Sequence, residues 1–302
     1  METKISRRQF LGGAAAVAGA IALPSLVNAT PVLATPSLTF PLAIDTGGWV
    51  PLDAKTLARY AYEIYKGKHA GHSACCEATY WPIVSVFAAR FPDTWGLIPK
   101  GMFNYGGGGV NAYGSICGCP NGASALLAQI SGTQSAGNGA NTKTNFMRWY
   151  ETTALPTNAA YLDFASGTWT PGGSATDGWG PTFTATATQL ATPYDNIPKS
   201  AAGEVLCHVS LTKWRAAADQ WTGIIGKDAQ SDRCGKLCYD AVFYLANLIN
   251  SWKAGNTIDG SVSAAASATG CKNPSCHGSS PIAECDAVTA QGSMNCTPCH
   301  GL

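Results

Sequence analysis

Two phrases near the C-terminus, CKNPSCH at 271–277 and CTPCH at 296–300, place a pair of cysteines directly before a histidine. In a Cys-x-x-Cys-His unit each thiol adds across one haem vinyl group, and the histidine that follows is thereby held against the iron as an axial ligand. Cys296 and Cys299 have the two-residue spacing that suits the vinyl carbons. Cys271 and Cys276 enclose four residues, a longer loop that can bulge at Asn273-Pro274 while the thiols meet the same carbons. The expectation is two haem c groups with His277 and His300 as proximal ligands. Zinc or disulfides within the tail are rival uses of these cysteines, but adjacent Cys and His seldom both ligate one tetrahedral metal.

Ligand counting extends the argument, because the chain has only five histidines. With His277 and His300 spent, His69, His72 and His208 remain for the distal sides. Two bis-His haems are expected, with His208 and His72 as distal ligands and His69 as the alternative. Eight further cysteines stand outside the tail phrases. Cys234 and Cys238, four apart, share a helix face, and Cys117-Gly-Cys119 is tight enough to offer two thiolates to one cluster. Thiolates converging from separate segments are how iron-sulfur clusters are held; up to four structural disulfides are the competing reading. Cys285 is expected to be free or structural.

The elements that must position these residues read as helices. Residues 53–66 carry Leu57, Ala61, Ile64 and Tyr65 at helical spacing with Asp53 as N-cap, and 74–90 forms a second helix bent near Pro82. The stretch 101–110 is a glycine-rich turn region, after which Pro120 is expected to open a helix. Ser210 is expected to cap a helix carrying Trp214, Ala218, Trp221 and Ile225. Asp232 should cap the most regular one, with Cys234, Cys238, Ala241, Leu245, Leu248 and Trp252 on one stripe. Residues 132–144 and 156–203 read as long loops anchored by Trp169, Trp179 and Phe183, and 255–270 as a flexible connection. The fold class is mainly α: a helical body with long irregular loops and a C-terminal haem-binding tail. Three parts follow: an export signal over 1–29, a cysteine-rich helical body over 30–254, and the connection with the dihaem attachment segment over 255–302.

Arg7 and Arg8 precede Phe10-Leu11, an Ala/Gly-rich apolar stretch and small residues at Val27-Asn28-Ala29. This is a twin-arginine signal, and the Ala/Gly run is too weakly apolar to serve as a retained anchor. A periplasmic protein with no membrane span is expected. Such export carries proteins already folded, so a thiol-held group can be installed before the chain meets an oxidising compartment. Charged residues are 12% of the chain and the net charge is +1, which argues against nucleic acid as a partner.

Taken in order, GHSACCEATYWPIV at 71–84, KGMFNYGGGGV, GSICGCPNGASALL, VLCHVSLTKW at 205–214 and RCGKLC at 233–238 resemble the redox-active family defined by Cys, Gly-Cys-Ala-x-x-Gly, Cys and Cys. Within it, the tail phrases and signal resemble the split-Soret cytochromes c. The resemblance covers most of residues 55–300. It implies a mainly helical homodimer with two haems per subunit packed near those of the partner, and an iron-sulfur centre. By position Cys76, Cys117, Cys119, Cys234 and Cys238 fall on the family cysteines, with Cys75 and Cys207 as further candidates. The third motif here reads Cys-Gly-Cys-Pro, so either Cys117 or Cys119 can take the family position. The function expected is electron transfer with soluble redox partners, an electron carrier rather than an enzyme. The alternative is a reductase acting on a small nitrogen oxide or peroxide at a five-coordinate haem.

Overall fold

The computed structural model describes residues 41–44, 48–132, 137–169, 197–218 and 227–261. The signal region, Trp179, Phe183, Trp221, Ile225 and the whole tail with Cys271, Cys276, His277, Cys285, Cys296, Cys299 and His300 lie outside them.

Helix α1 (Ala54–Tyr65) starts where Asp53 predicts: its carboxylate accepts from the backbone N–H of Lys55 and Thr56 at 3.1 and 3.2 Å. Leu57, Ala58, Ala61, Tyr62 and Ile64 form its buried stripe. Helix α2 (Ala74–Arg90) runs through Pro82 and is buried on nearly every face, since α1, α3 (Gly118–Ser131) and the long C-terminal helix all pack on it. Helix α3 begins two residues before Pro120, with Cys117 at the N-cap position, so the proline falls inside the first turn, where a missing N–H costs no helical bond.

Helix α4 (Asn138–Thr152) replaces much of the loop expected over 132–144. Its Asn- and Thr-rich sequence has modest helix propensity, and tertiary contacts decide the matter. Asn138, Asn141 and Asn145 donate to the main-chain carbonyls of Asn256, Ile258 and Asp259 at 2.8–2.9 Å. Arg148 pairs with Asp259 at 2.7 Å and also hydrogen-bonds Ser261. The first residues of the expected flexible connection are therefore docked, with Ile258 buried.

The long region after α4 is pinned at both ends: β1 (Ala154–Leu155) pairs antiparallel with β2 (Ser200–Ala201), Ala154 opposite Ala201. Between them lies α5 (Ala159–Ala165), followed by Trp169, which is an anchor as expected. It is buried edge-on to Tyr62 at 5.4 Å and donates to Glu63 at 2.9 Å.

Helix α6 (Cys207–Ala218) begins before Ser210, and α7 (Lys227–Lys253) before Asp232. Neither residue is a cap. Asp232 is buried inside α7, accepting from Tyr62 Oη at 2.8 Å and facing Lys236 at 3.4 Å. Helix α7 lies along α1 and against α2 and α4, and its stripe of Cys238, Ala241, Leu245 and Leu248 is buried. No helix among the described residues is long and apolar enough to cross a membrane.

Candidate metal centre and histidine ligands

Cysteines from four elements meet where α2, α3, α6 and α7 converge. All seven in the described residues are free thiols. Close approach of α3 to the start of α2 depends on Gly118: a Cβ there would stand 2.4 Å from the Gly106 carbonyl and 2.6 Å from Cys75 Cβ. A short antiparallel contact, Ile116 opposite Leu206, does the same for α6. Through it Cys117 N–H donates to Val205 O and Cys207 N–H to Ser115 O, each at 2.8 Å.

The thiols form one network. Cys119 Sγ and Cys238 Sγ are 3.8 Å apart. Cys75 hydrogen-bonds with Cys119, Cys234 and Cys238, and Cys117 with Cys119 and Cys207. Mutual hydrogen bonding divides their acidities. Cys117 is held well below the ordinary thiol range by Cys119 and Cys207. Cys234 is brought down to about 6, first by its bond to Cys75 and then, against the opposing effect of burial, by the Arg233 charge. Cys75 and Cys119 are pushed up as donors to neighbouring sulfurs, Cys207 by its bond to Cys117, and Cys238 chiefly by burial.

Cys75, rather than its neighbour, enters this network. Cys76 is buried against Gly106, whose carbonyl accepts its N–H at 3.3 Å, and burial pushes its thiol up to about 12. Among the described residues no three His, Cys, Asp or Glu side chains form a ready-made site about a single metal ion. The donor set nevertheless suits a thiolate-held iron centre: six cysteines from four segments cluster, with Cys75, Cys117, Cys119 and Cys238 buried and Cys207 and Cys234 partly exposed, and the 3.8 Å sulfur separation matches the roughly 3.8 Å edge of a sulfur tetrahedron about a metal at ~2.3 Å.

Around the sulfurs stand groups that spacing alone did not single out. Arg233 Nη1 donates to Cys234 Sγ at 3.8 Å, and Nη2 donates to Ser210 Oγ at 2.6 Å. Tyr150 Oη donates to the same hydroxyl at 3.1 Å and hydrogen-bonds Cys117. An arginine next to a cysteine in RCGKLC was the available signal for the first of these; Tyr150 had none.

The three spare histidines separate by geometry. His72 is buried, its Nδ1 is 2.7 Å from Glu77 Oε1, and its Nε2 has no hydrogen-bond partner among the described residues. Glu77 in turn accepts from Gly101 N–H at 2.8 Å and Phe103 N–H at 3.0 Å. His208 is exposed, and its Nδ1 donates to the Gly114 carbonyl at 2.8 Å. Gly114 has φ +72°, and a Cβ there would stand 3.0 Å from that of His208, so the turn requires glycine. Both rings are held through Nδ1, the arrangement by which a second partner orients a metal-ligating imidazole. His69 is engaged through the other nitrogen, Nε2, with Glu63 at 3.0 Å.

Residues 4–24 match the twin-arginine translocation pathway signal sequence, which directs export to the periplasm. The split-Soret cytochrome c of Desulfovibrio desulfuricans is 30% identical over 256 residues, covering 84% of this chain and 77% of that protein. A solved structure of a split-Soret cytochrome c from the same organism, described as holding a novel iron centre, superimposes with a TM-score of 0.56 at 27% identity, over 84% of this chain and 90% of that one.

Proposed function

The chain belongs to the split-Soret cytochrome c family, and from that premise we propose that it is a periplasmic electron-transfer protein with two bis-His haems c and a thiolate-held iron-sulfur cluster. Cys271, Cys276, Cys296 and Cys299 would bind haem covalently, with His277 and His300 proximal and His208 and His72 distal. Cys75, Cys117, Cys119, Cys207, Cys234 and Cys238 would supply the ligands of the cluster. The observation that carries this reading is the shared restraint of His72 and His208 through Nδ1, which leaves Nε2 of each for iron. Haem and cluster supply one-electron couples when bound. The protein fixes ring orientation through Glu77 and Gly114, buries four of the six cysteines and places donors beside them. The reading includes a homodimer with haems near the subunit interface and soluble redox partners, as the resemblance of the motifs implies.

Iron filled by two histidines has no open position. Reduced protein should therefore resist carbon monoxide, a pyridine haemochrome assay should give two haems per chain, and total iron should exceed haem iron alongside acid-labile sulfide. Fast stoichiometric carbon monoxide binding would favour the five-coordinate reductase instead, and an unmodified tail mass would remove the haem reading altogether.

A further inference from the structure

We propose that Arg233 is a positioning residue that raises the reduction potential of the thiol-held centre, as a fixed counter-charge that donates to the Cys234 sulfur. The inference rests on the iron centre proposed above.

Arg233 is 1% exposed. Taking a guanidinium out of water costs several kcal/mol unless opposite charge and hydrogen bonds offset it. The groups around it are the Cys234 sulfur, the Ser210 hydroxyl and, through that hydroxyl, Tyr150, all members or neighbours of the cysteine cluster. Its fork is held in place: Nη2 donates to Ser210 Oγ at 2.6 Å and lies 3.4 Å from Ser210 O, while Nη1 reaches Cys234 Sγ. Ser210 also accepts from Tyr150, which contacts Cys117, so one chain of contacts runs from the Cys234 sulfur to that of Cys117. Nε has no hydrogen-bond partner among the described residues, a donor still available to an acceptor in the filled site. An electron arriving at a thiolate-held centre adds negative charge, and a fixed cation that donates to a sulfur favours that reduced state.

The test is a potentiometric titration of the iron centre, followed by electron paramagnetic resonance, in full-length haem-loaded protein. Iron, sulfide and haem potentials are measured on the same samples. Arg233→Gln should lower the one-electron equilibrium at least tenfold, which is about 59 mV, while both haem potentials stay in place. Arg233→Lys, which keeps the charge but not the fork, should recover most of the loss. Ser210→Ala, which keeps the guanidinium but frees it, should shift the potential the same way by less, and it carries the test if Arg233→Gln does not hold iron. An unchanged potential in iron-replete Arg233→Gln or Ser210→Ala would overturn the inference, as would an equal fall in the Lys and Gln variants. Wild-type iron equal to haem iron alone would overturn the parent reading and this inference together.

Discussion

His72 and His208 occupy corners built on opposite terms. At His72 the ring is inside the protein, packed over Trp81 at 4.9 Å, and backed by a carboxylate that also gathers two backbone N–H groups of the glycine-rich turn. At His208 the ring is exposed and backed by a neutral carbonyl. A carboxylate partner makes an imidazole more basic than a carbonyl does. If both ligate iron, the two haems receive unequal electron density from their distal sides. The first corner is also part of the fold, whereas the second can be altered with little structural cost.

The largest effect that separates them is on stability. Glu77→Ala strips His72 Nδ1, Gly101 N–H and Phe103 N–H of their shared acceptor in a fully buried position, and should cost about 3–5 kcal/mol in denaturant unfolding. Glu204, a buried carboxyl four residues before His208 with no hydrogen-bond partner among the described residues, leaves no partner stranded when removed and should tolerate Ala with a loss of about 1 kcal/mol or less. Equal losses would break the contrast.

Ligation gives the next test. Replacing either His72 or His208 by Met should convert one haem to His/Met coordination and raise its potential by well over tenfold in the reduction equilibrium. A variant that leaves the visible spectrum and both potentials unchanged removes that histidine from the ligand set, and His69 is then the residue to replace. Glu77→Gln is finer. It keeps a hydrogen-bonding side chain but removes the negative charge behind His72, so the potential of that haem alone should rise by about tenfold in the equilibrium, near 59 mV.

Legibility in the sequence followed distance along the chain. Asp53, its helix and the Cys-Cys-Glu helix are local patterns, and their ends fall where spacing and capping put them. Caps failed where the polar residue had a tertiary task. Ser210 anchors Arg233, and Asp232 answers Tyr62 and Lys236, so each lies within a helix that starts earlier. Helix α4 was hidden because its asparagines are helical for the sake of residues 256–259, a partner more than a hundred positions away. Cys234 with Cys238 and Cys117 with Cys119 could be paired from spacing, but the choice between Cys75 and Cys76 depends on which neighbour α3 meets after Gly118 lets it close in. Glu77 and Tyr150 act through space alone, and no periodicity announces them.

The smallest expected effect has the opposite sign at the two corners. Glu204 is fully buried, neither of its carboxyl oxygens has a hydrogen-bond partner among the described residues, and burial raises its carboxyl above the ordinary glutamate range. A carboxyl raised by folding favours the folded state while it is protonated. That contribution is intact below the unfolded value of about 4.3 and is lost as pH rises through the folded value. At pH 7 the wild type therefore carries a desolvated carboxylate that Glu204→Gln removes, and the variant should be more stable by on the order of 1 kcal/mol or less. Unfolding midpoints taken from pH 7 down to pH 4 should show this advantage shrinking as the wild-type carboxyl protonates. Glu77→Gln should destabilise at pH 7, because one amide oxygen cannot replace the carboxylate acceptors of His72, Gly101 and Phe103. If both Gln variants moved stability in the same direction, the two carboxyls would share one environment, and the inequality between the histidine corners would lose its electrostatic basis.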